Sequence, residues 1–354
     1  MTNYIIRRLL LVPVLLFGVT IIIFGMLQFL GPVERSALYV RDFPKNENQI
    51  RGIIRRYGLD RPIHEQYWRW LVGVKDPVTG DRHGGILYGD FGYSRTGTQP
   101  VIDIIKNRFP NTLDLALWTV FPLLSVGIWL GVQAAVHQNG FIDQAARIFS
   151  IVGTSFPTFV FGLLVLILFY AKLGWFLPGK MSDWVSQLIF SGQFHQYTKL
   201  LTIDALLNGR LDVFWDALRH MILPILTLSY ISWATFVRVT RSSMLETLRM
   251  EYVTTARAKG LSEKVVINKH ARPNAMLTIV TLAGMQVVSL LGGVVITETV
   301  FNYPGIGQAA ANAAQQLDVV TVLGFAIFNG FILIIANLVV DVLYGVIDPR
   351  VRLD

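Results

Sequence analysis

Six stretches of about 20 apolar residues, separated by charged segments, constrain this chain more than any other feature of its sequence. They lie at residues 9–30, 115–136, 148–171, 221–237, 275–297 and 319–340. A backbone crossing hydrocarbon must satisfy its own hydrogen bonds, and a helix of about 20 residues covers the ~30 Å core. The pattern predicts an all-α polytopic membrane protein with about six transmembrane helices. Only 15% of the 354 residues are charged, against roughly 25% in soluble domains, so lipid is part of the solvent. The first stretch, preceded by Arg7 and Arg8, also has the outline of a cleaved signal peptide. Its 22-residue length and the lack of a small-x-small cleavage pattern favour a retained span.

The net charge of +8 sits in the loops, where membrane orientation and anionic headgroups account for it without nucleic acid. There is no cysteine, which removes disulfides, thiolate metal sites and cysteine nucleophiles. The histidines at 64, 83, 137, 195, 220 and 270 form no metal-ligand grouping, and no Gly-x-Ser-x-Gly context supports a serine nucleophile. Gly174, Gly179 and Lys180 imitate a phosphate loop, but Met181 stands where its hydroxyl belongs and a membrane span precedes it. No catalytic residue, bound cofactor or metal is expected in this chain.

Orientation follows from basic residues in short flanks. Arg7 and Arg8 place the N-terminus inside, and six crossings return the C-terminus inside, where Arg350 and Arg352 agree. Residues 31–111 and 172–220 then lie outside, and 137–147 and 238–272 inside. The first outer segment carries 13 Lys and Arg but is too long for the rule to count it. Its residues 50–71 mix Ile53, Ile54, Tyr57, Tyr67, Trp68 and Trp70 with charges, which suits a small helical cap at the interface, and 76–92 reads as loop. Trp175, Trp184, Trp215 and Trp233 fall near span ends, at headgroup depth.

The segment 238–272 holds eight Lys and Arg against Glu246, Glu251 and Glu263. Leu245, Leu248, Tyr252 and Ala256 recur at helical spacing and predict one apolar stripe. Gly260 breaks the helix, Ser262 is placed to N-cap a second short helix through Lys269, and Pro273 opens the fifth span. A knob projecting from the membrane and a hairpin lying flat on it both fit these residues. Within the spans, Gln286, Asn329 and Asn337 could line a polar path or bond helix to helix. Gly127, Gly131, Gly284, Gly292 and Gly293 would allow close helix contact, static or sliding. Pro122, Pro157 and Pro224 are candidate kinks. Glu298 and Asp341 lie near span ends, so no buried acid–base chain supports a secondary transporter driven by an ion gradient.

EYVTTARAKG at 251–260, followed by Pro273, resembles the "EAA" loop of ABC importer permeases: Glu-Ala-Ala, three residues, Gly, nine residues, then Ile-x-Leu-Pro. Gly260 and Pro273 match in type and spacing. Of the triplet only Ala256 matches, and His270 and Arg272 stand where Ile and Leu are usual. YGLDRPIHEQYWRWL at 57–71, GDFGYS at 89–94, RFPNTLDLAL at 108–117 and SFPTFVFG at 155–162 resemble the oligopeptide/dipeptide branch. So do LGWFLPG at 173–179, RHMILPILTLS at 219–229, ETVFNYPGIG at 298–307 and DPRVRL at 348–353. The stretches 72–87 and 180–217 look longer than is usual there.

The resemblance implies a type I ABC importer permease fold. Residues 1–30 would be the cytoplasmic N-terminus and first span, 31–111 an extracytoplasmic segment, and 112–354 the permease core, with outer loop 172–220 and cytoplasmic coupling loop 238–272. It implies half of a translocation pathway for peptides, working by alternating access in a bacterial or archaeal cytoplasmic membrane. Oligosaccharide, glutathione or a nickel chelate are alternative solutes. Implied partners are a second permease, two ATPase subunits that hold ATP and magnesium, an extracytoplasmic solute-binding protein, and membrane lipid. Glu251, Tyr252, Ala256, Arg257, Lys259, Gly260, Leu261 and Pro273 would form the ATPase-coupling loop, with Tyr252, Ala256, Gly260 and Leu261 at its apex. Arg257, Lys259 and Lys264 could supply matching charge. Gln286, Gly292, Gly293, Asn329 and Asn337 are the pore or gating candidates.

Overall fold

A computed structural model describes residues 2–36, 39, 46–75 and 82–347. Five of its helices are long and apolar enough to cross a membrane: Ile6–Leu27, Val101–Val136, Leu211–Leu248, Glu263–Leu291 and Val319–Val342. A bent pair, Phe141–Ser155 and Thr158–Lys172, meets at 101° and supplies a sixth if it is counted as one span. The span expected at 148–171 is thus sharply bent at Pro157, one of the candidate kinks. Pro157 has no N–H to continue the helix and pushes Phe156 into an extended conformation, φ −92° and ψ 127°. The stretch 275–297 is not one helix either. Arg272–Leu291 stops at Gly292, Gly293 takes φ +96°, and a separate helix, Val295–Val300, follows. The motif at 348–353, with Arg350 and Arg352, and positions 76–81 of the expected loop lie outside the described residues.

The chain divides into two compact units, Met1–Pro110 with Gly305–Leu338 and Asn111–Pro304 with Val339–Asp354. In the first, helix Ile63–Val72 lays Tyr67, Trp70 and Leu71 against Ile23, Phe24 and Leu27 of the first span and Ile327 of the last. The cap expected at 50–71 is thus folded onto a span by its aromatic residues. Val101, Ile104 and Ile105 pack with Ile306, Val320 and Phe325. Asp318 fastens the hairpin Tyr93–Ser94/Gln99–Pro100 to the start of the last helix. It accepts from Ser94 Oγ at 2.9 Å, Thr96 N at 3.0 Å and Thr321 Oγ1 at 2.7 Å.

Burial alone would raise the Asp318 pKa, but the Thr96 N–H and the Thr321 and Ser94 hydroxyls outweigh it and hold the carboxyl below its usual range. A depressed folded pKa adds stability above the unfolded value of about 3.9 and loses it as the pH falls through the folded value. Asp318→Asn is expected to cost about 1 kcal/mol at pH 7. The gap from wild type should narrow below about pH 4, as read from thermal unfolding in detergent across pH.

The second unit is built around helix Leu211–Leu248. Phe236 and Ile279 share a buried cluster with Leu123 and Leu290, and Val237 another with Ala134 and Ala146. Helices come this close in a membrane where a residue is small. A Cβ at Gly131 would stand 2.5 Å from Thr240 Cβ and 3.0 Å from the Val237 carbonyl, and at Gly127 2.8 Å from Phe236 Cβ. Gly131→Leu is therefore expected to lower stability by about 1–3 kcal/mol, with Gly131→Ala milder. A thermal midpoint unchanged by the leucine would refute this close packing.

Residues 172–220 are a folded cap. Helices Asp183–Phe190 and Leu201–Leu207 enclose a core of Val185, Phe194, Leu201, Ala205, Val213 and Ala217. Asp114, fully buried, anchors it: its Oδ1 accepts from Thr202 Oγ1 at 2.5 Å and its Oδ2 from Thr202 N at 3.2 Å. Thr202 Oγ1 in turn accepts from Trp118 Nε1 at 2.9 Å. Burial lowers the pKa of Lys180, the lysine of the imitation phosphate loop, and the carboxylates of Asp114 and Asp204 partly restore it.

Candidate functional site

Helix Leu211–Leu248 ends twelve residues before the loop's corner at Gly260. Arg249 closes it, Met250 is extended at φ −71° and ψ 148°, and the short helix Glu251–Ala258 begins. Val253 and Ala256, three residues apart on one face, join Met244, Val132, Ala135, Val266, Ala271 and Ala275 in a buried cluster. This corrects the expected stripe at Tyr252 and the expected apex at Ala256. Leu245 and Leu248 do pack against the cluster, but Tyr252 is 43% exposed while Ala256 is only 6% exposed. The break at Met250 resets the helical phase, so the face that carries 245 and 248 continues through 253, not 252.

Gly260 turns the corner at φ +77°, with its N–H donating to Arg257 O at 2.9 Å and nothing within 4 Å of where a Cβ would stand. A left-handed residue ending a helix in this way is normally glycine. Leu261 follows, 40% exposed. Ser262 takes an N-cap backbone conformation without a side-chain cap bond. The helix it opens does not stop at Lys269. It passes through a π turn, Val266–Ala271, straight into Arg272–Leu291. Pro273 lies in the first turn of that last segment and cannot donate an N–H back, which favours the widened turn just before it. The second arm of the corner and a membrane-length helix are therefore one rod, Glu263–Leu291.

Arg257 clamps the two arms: Nε donates to Glu263 Oε1 at 2.7 Å and Nη2 to Oε2 at 3.3 Å. Its charge is thus matched within the corner. Both groups are well exposed, so the clamp adds orientation more than stability. Lys259 and Lys264 are exposed with no ion pair among the described residues. Glu251 stands in the first turn, where a carboxylate suits the helix dipole. Partial burial raises the pKa of the Tyr252 hydroxyl, and its hydrogen bond with Asn274 opposes the shift only in part. The corner thus presents Tyr252, Leu261 and a half-exposed Met250 outward, while Val253 and Ala256 hold it to the helices behind.

The remaining candidates are scattered. Gln286 is half-buried on helix Arg272–Leu291, and Gly292 and Gly293 terminate that helix, so there they end a rod and do not line one. Asn329 is half-buried on the last helix, and Asn337 is exposed and donates to its own Leu333 O at 2.8 Å. Glu298, expected at a span end, is fully buried and accepts from Thr112 Oγ1 at 2.7 Å.

Residues 127–353 match the family described as binding-protein-dependent transport system inner membrane component, and residues 1–116 match its N-terminal membrane component. The chain belongs to this family. It is 37% identical over 337 residues to the probable D,D-dipeptide transport system permease protein DdpB of Escherichia coli, covering 94% of this chain and 93% of that one. It is 36% identical over 352 residues to the dipeptide transport system permease protein DppB of Escherichia coli, covering 99% of each. The glutathione transport system permease protein GsiC of Salmonella paratyphi A is 34% identical over 354 residues, again 99% of each. The protein is a multi-pass inner-membrane permease of a binding-protein-dependent ABC importer.

Proposed function

We propose that this permease forms half of a translocation pathway for di- or oligopeptides and is driven through the Gly260 corner by separate ATPase subunits. The corner's geometry carries the mechanical part. Its exposed residues Tyr252 and Leu261 offer an apolar contact, its arms are clamped by Arg257 and Glu263, and its second arm is continuous with Glu263–Leu291. A motor subunit gripping that contact would move a membrane-length helix as a lever, the kind of rigid-element motion that alternating access needs. Arg7 and Arg8 put the N-terminus, and with it the 238–272 loop, on the cytoplasmic side where ATP is available. ATP and magnesium belong to two partner ATPase subunits. A second, similar permease completes the pathway, and a solute-binding protein delivers solute to the outer face.

Peptide is the substrate class favoured by similarity to relatives named for dipeptides over nearly the whole chain. The test is reconstitution of the four-subunit complex in proteoliposomes with its binding protein. Uptake of a labelled dipeptide should require ATP and the binding protein, and excess unlabelled dipeptide should compete better than glutathione or an oligosaccharide. Uptake that persists without ATP, or that only a non-peptide solute competes away, would count against the proposal.

A further inference from the structure

The bent pair Phe141–Ser155 and Thr158–Lys172 is fastened to helix Leu211–Leu248 by a buried ionic clasp that neither composition nor spacing signals. Asp143 is fully buried at the third position of its helix. Arg241 grips it bidentately, Nε to Oδ1 at 2.5 Å and Nη2 to Oδ2 at 2.9 Å. Arg147 Nη2 donates to Oδ2 at 2.9 Å and Asn139 N to the same oxygen at 2.9 Å. Planar two-point pairing fixes angle as well as distance, which a single contact between flexible side chains does not. Farther along the same two helices Ala146 packs with Val237, and a Cβ at Gly153 would meet Ala234 Cβ at 2.8 Å. Beyond the bend Phe161 stacks on Tyr230 at 4.1 Å. The pair is thus held on both sides of its 101° break to one helix, the helix that leads into the Gly260 corner.

We infer that Asp143 and Arg241 are positioning residues for transport: their clasp carries displacement of the corner across to the bent pair, so that the break at Pro157 flexes in step with the motor. Arg241 lies seven residues before the end of its helix, about 10 Å at 1.5 Å per residue, and the short helix Glu251–Ala258 lies between that end and the corner. A push at Tyr252 and Leu261 therefore reaches the clasp through the buried packing of Val253 and Ala256 against Met244, which lies about one helical turn from Arg241 on the long helix. A buried ion pair adds little net stability compared with apolar packing but enforces a unique geometry when every oxygen is satisfied, and both Asp143 oxygens are satisfied here. Apolar contacts at Ala146 and Gly153 alone would let the helices slide.

This rests on the ATP-driven reading above, so wild-type complex showing ATP-dependent uptake is the required reference. Without it, that reading fails first. Given coupled wild type, Asp143→Asn in the full complex should hydrolyse ATP within about twofold of wild type while uptake falls at least tenfold. Exchange of the charges, Asp143→Arg with Arg241→Asp, should recover part of the uptake. Because the natural chain has no cysteine, Ala146→Cys with Val237→Cys adds a clean second measurement: oxidation in the Asp143→Asn background should restore coupling that reduction removes. Uptake and hydrolysis falling together, uptake unchanged in Asp143→Asn, or no recovery on disulfide closure would each overturn the inference.

Discussion

Gly260→Pro should leave membrane insertion and complex yield near wild type while ATP-dependent uptake falls by at least a hundredfold. Proline fixes φ near −65°, whereas the corner needs φ +77° and uses the Gly260 N–H to bond Arg257 O. Both requirements fail at once, so the arms cannot meet at their native angle and the Arg257–Glu263 clamp is pulled apart. The spans themselves do not depend on the corner, because the cluster around Val253 and Ala256 lies behind it. Gly260→Ala is the graded companion. Open space surrounds the position, so the only cost is that of a left-handed alanine, roughly 1–2 kcal/mol, and a partial loss of uptake is expected. Full uptake in the proline variant, measured with labelled dipeptide in proteoliposomes, would remove the corner from the transport mechanism.

The spans were legible in the sequence because hydrocarbon leaves a backbone few options, and an apolar run of 20 residues states its structure without help from neighbours. Gly260 was legible for a similar reason: an isolated glycine between polar helical segments has few other uses. What escaped was decided by contacts distant in sequence or by breaks of phase. Tyr252 looked coplanar with Leu245, Leu248 and Ala256 until the extended Met250 shifted the face to Val253. Arg257 looked like a free charge because its partner Glu263 lies across the corner. Pro157 announced a kink but not its size of 101°. Asp143 sat unremarked in a short polar loop, since nothing local distinguishes a solvated carboxylate from one that Arg241 will bury.

The second large effect is expected at Asp114→Ala. That carboxylate is the point at which the cap at 172–220 meets helix Val101–Val136, and it accepts both the Thr202 hydroxyl and the Thr202 N–H. Truncation strips two bonds to a charged acceptor and leaves buried donors without a partner, a loss of about 3 kcal/mol. Lys180, whose charge both Asp114 and Asp204 favour, would keep only the second carboxylate. Because the cap helices pack on Val213 and Ala217 of helix Leu211–Leu248, the opening should be local to residues 183–207 and leave the membrane helices folded. Protease cleavage within 191–200 is then expected to rise about a hundredfold, as cutting tracks the open population, with a much smaller change in the main unfolding transition. Asp114→Asn retains one acceptor for the Thr202 hydroxyl but turns an amide N–H₂ toward the Thr202 N–H, so its cleavage should fall between wild type and the alanine variant. Equal cleavage in all three proteins would mean that the cap is held by its apolar contacts and that this buried carboxylate contributes nothing to keeping it closed.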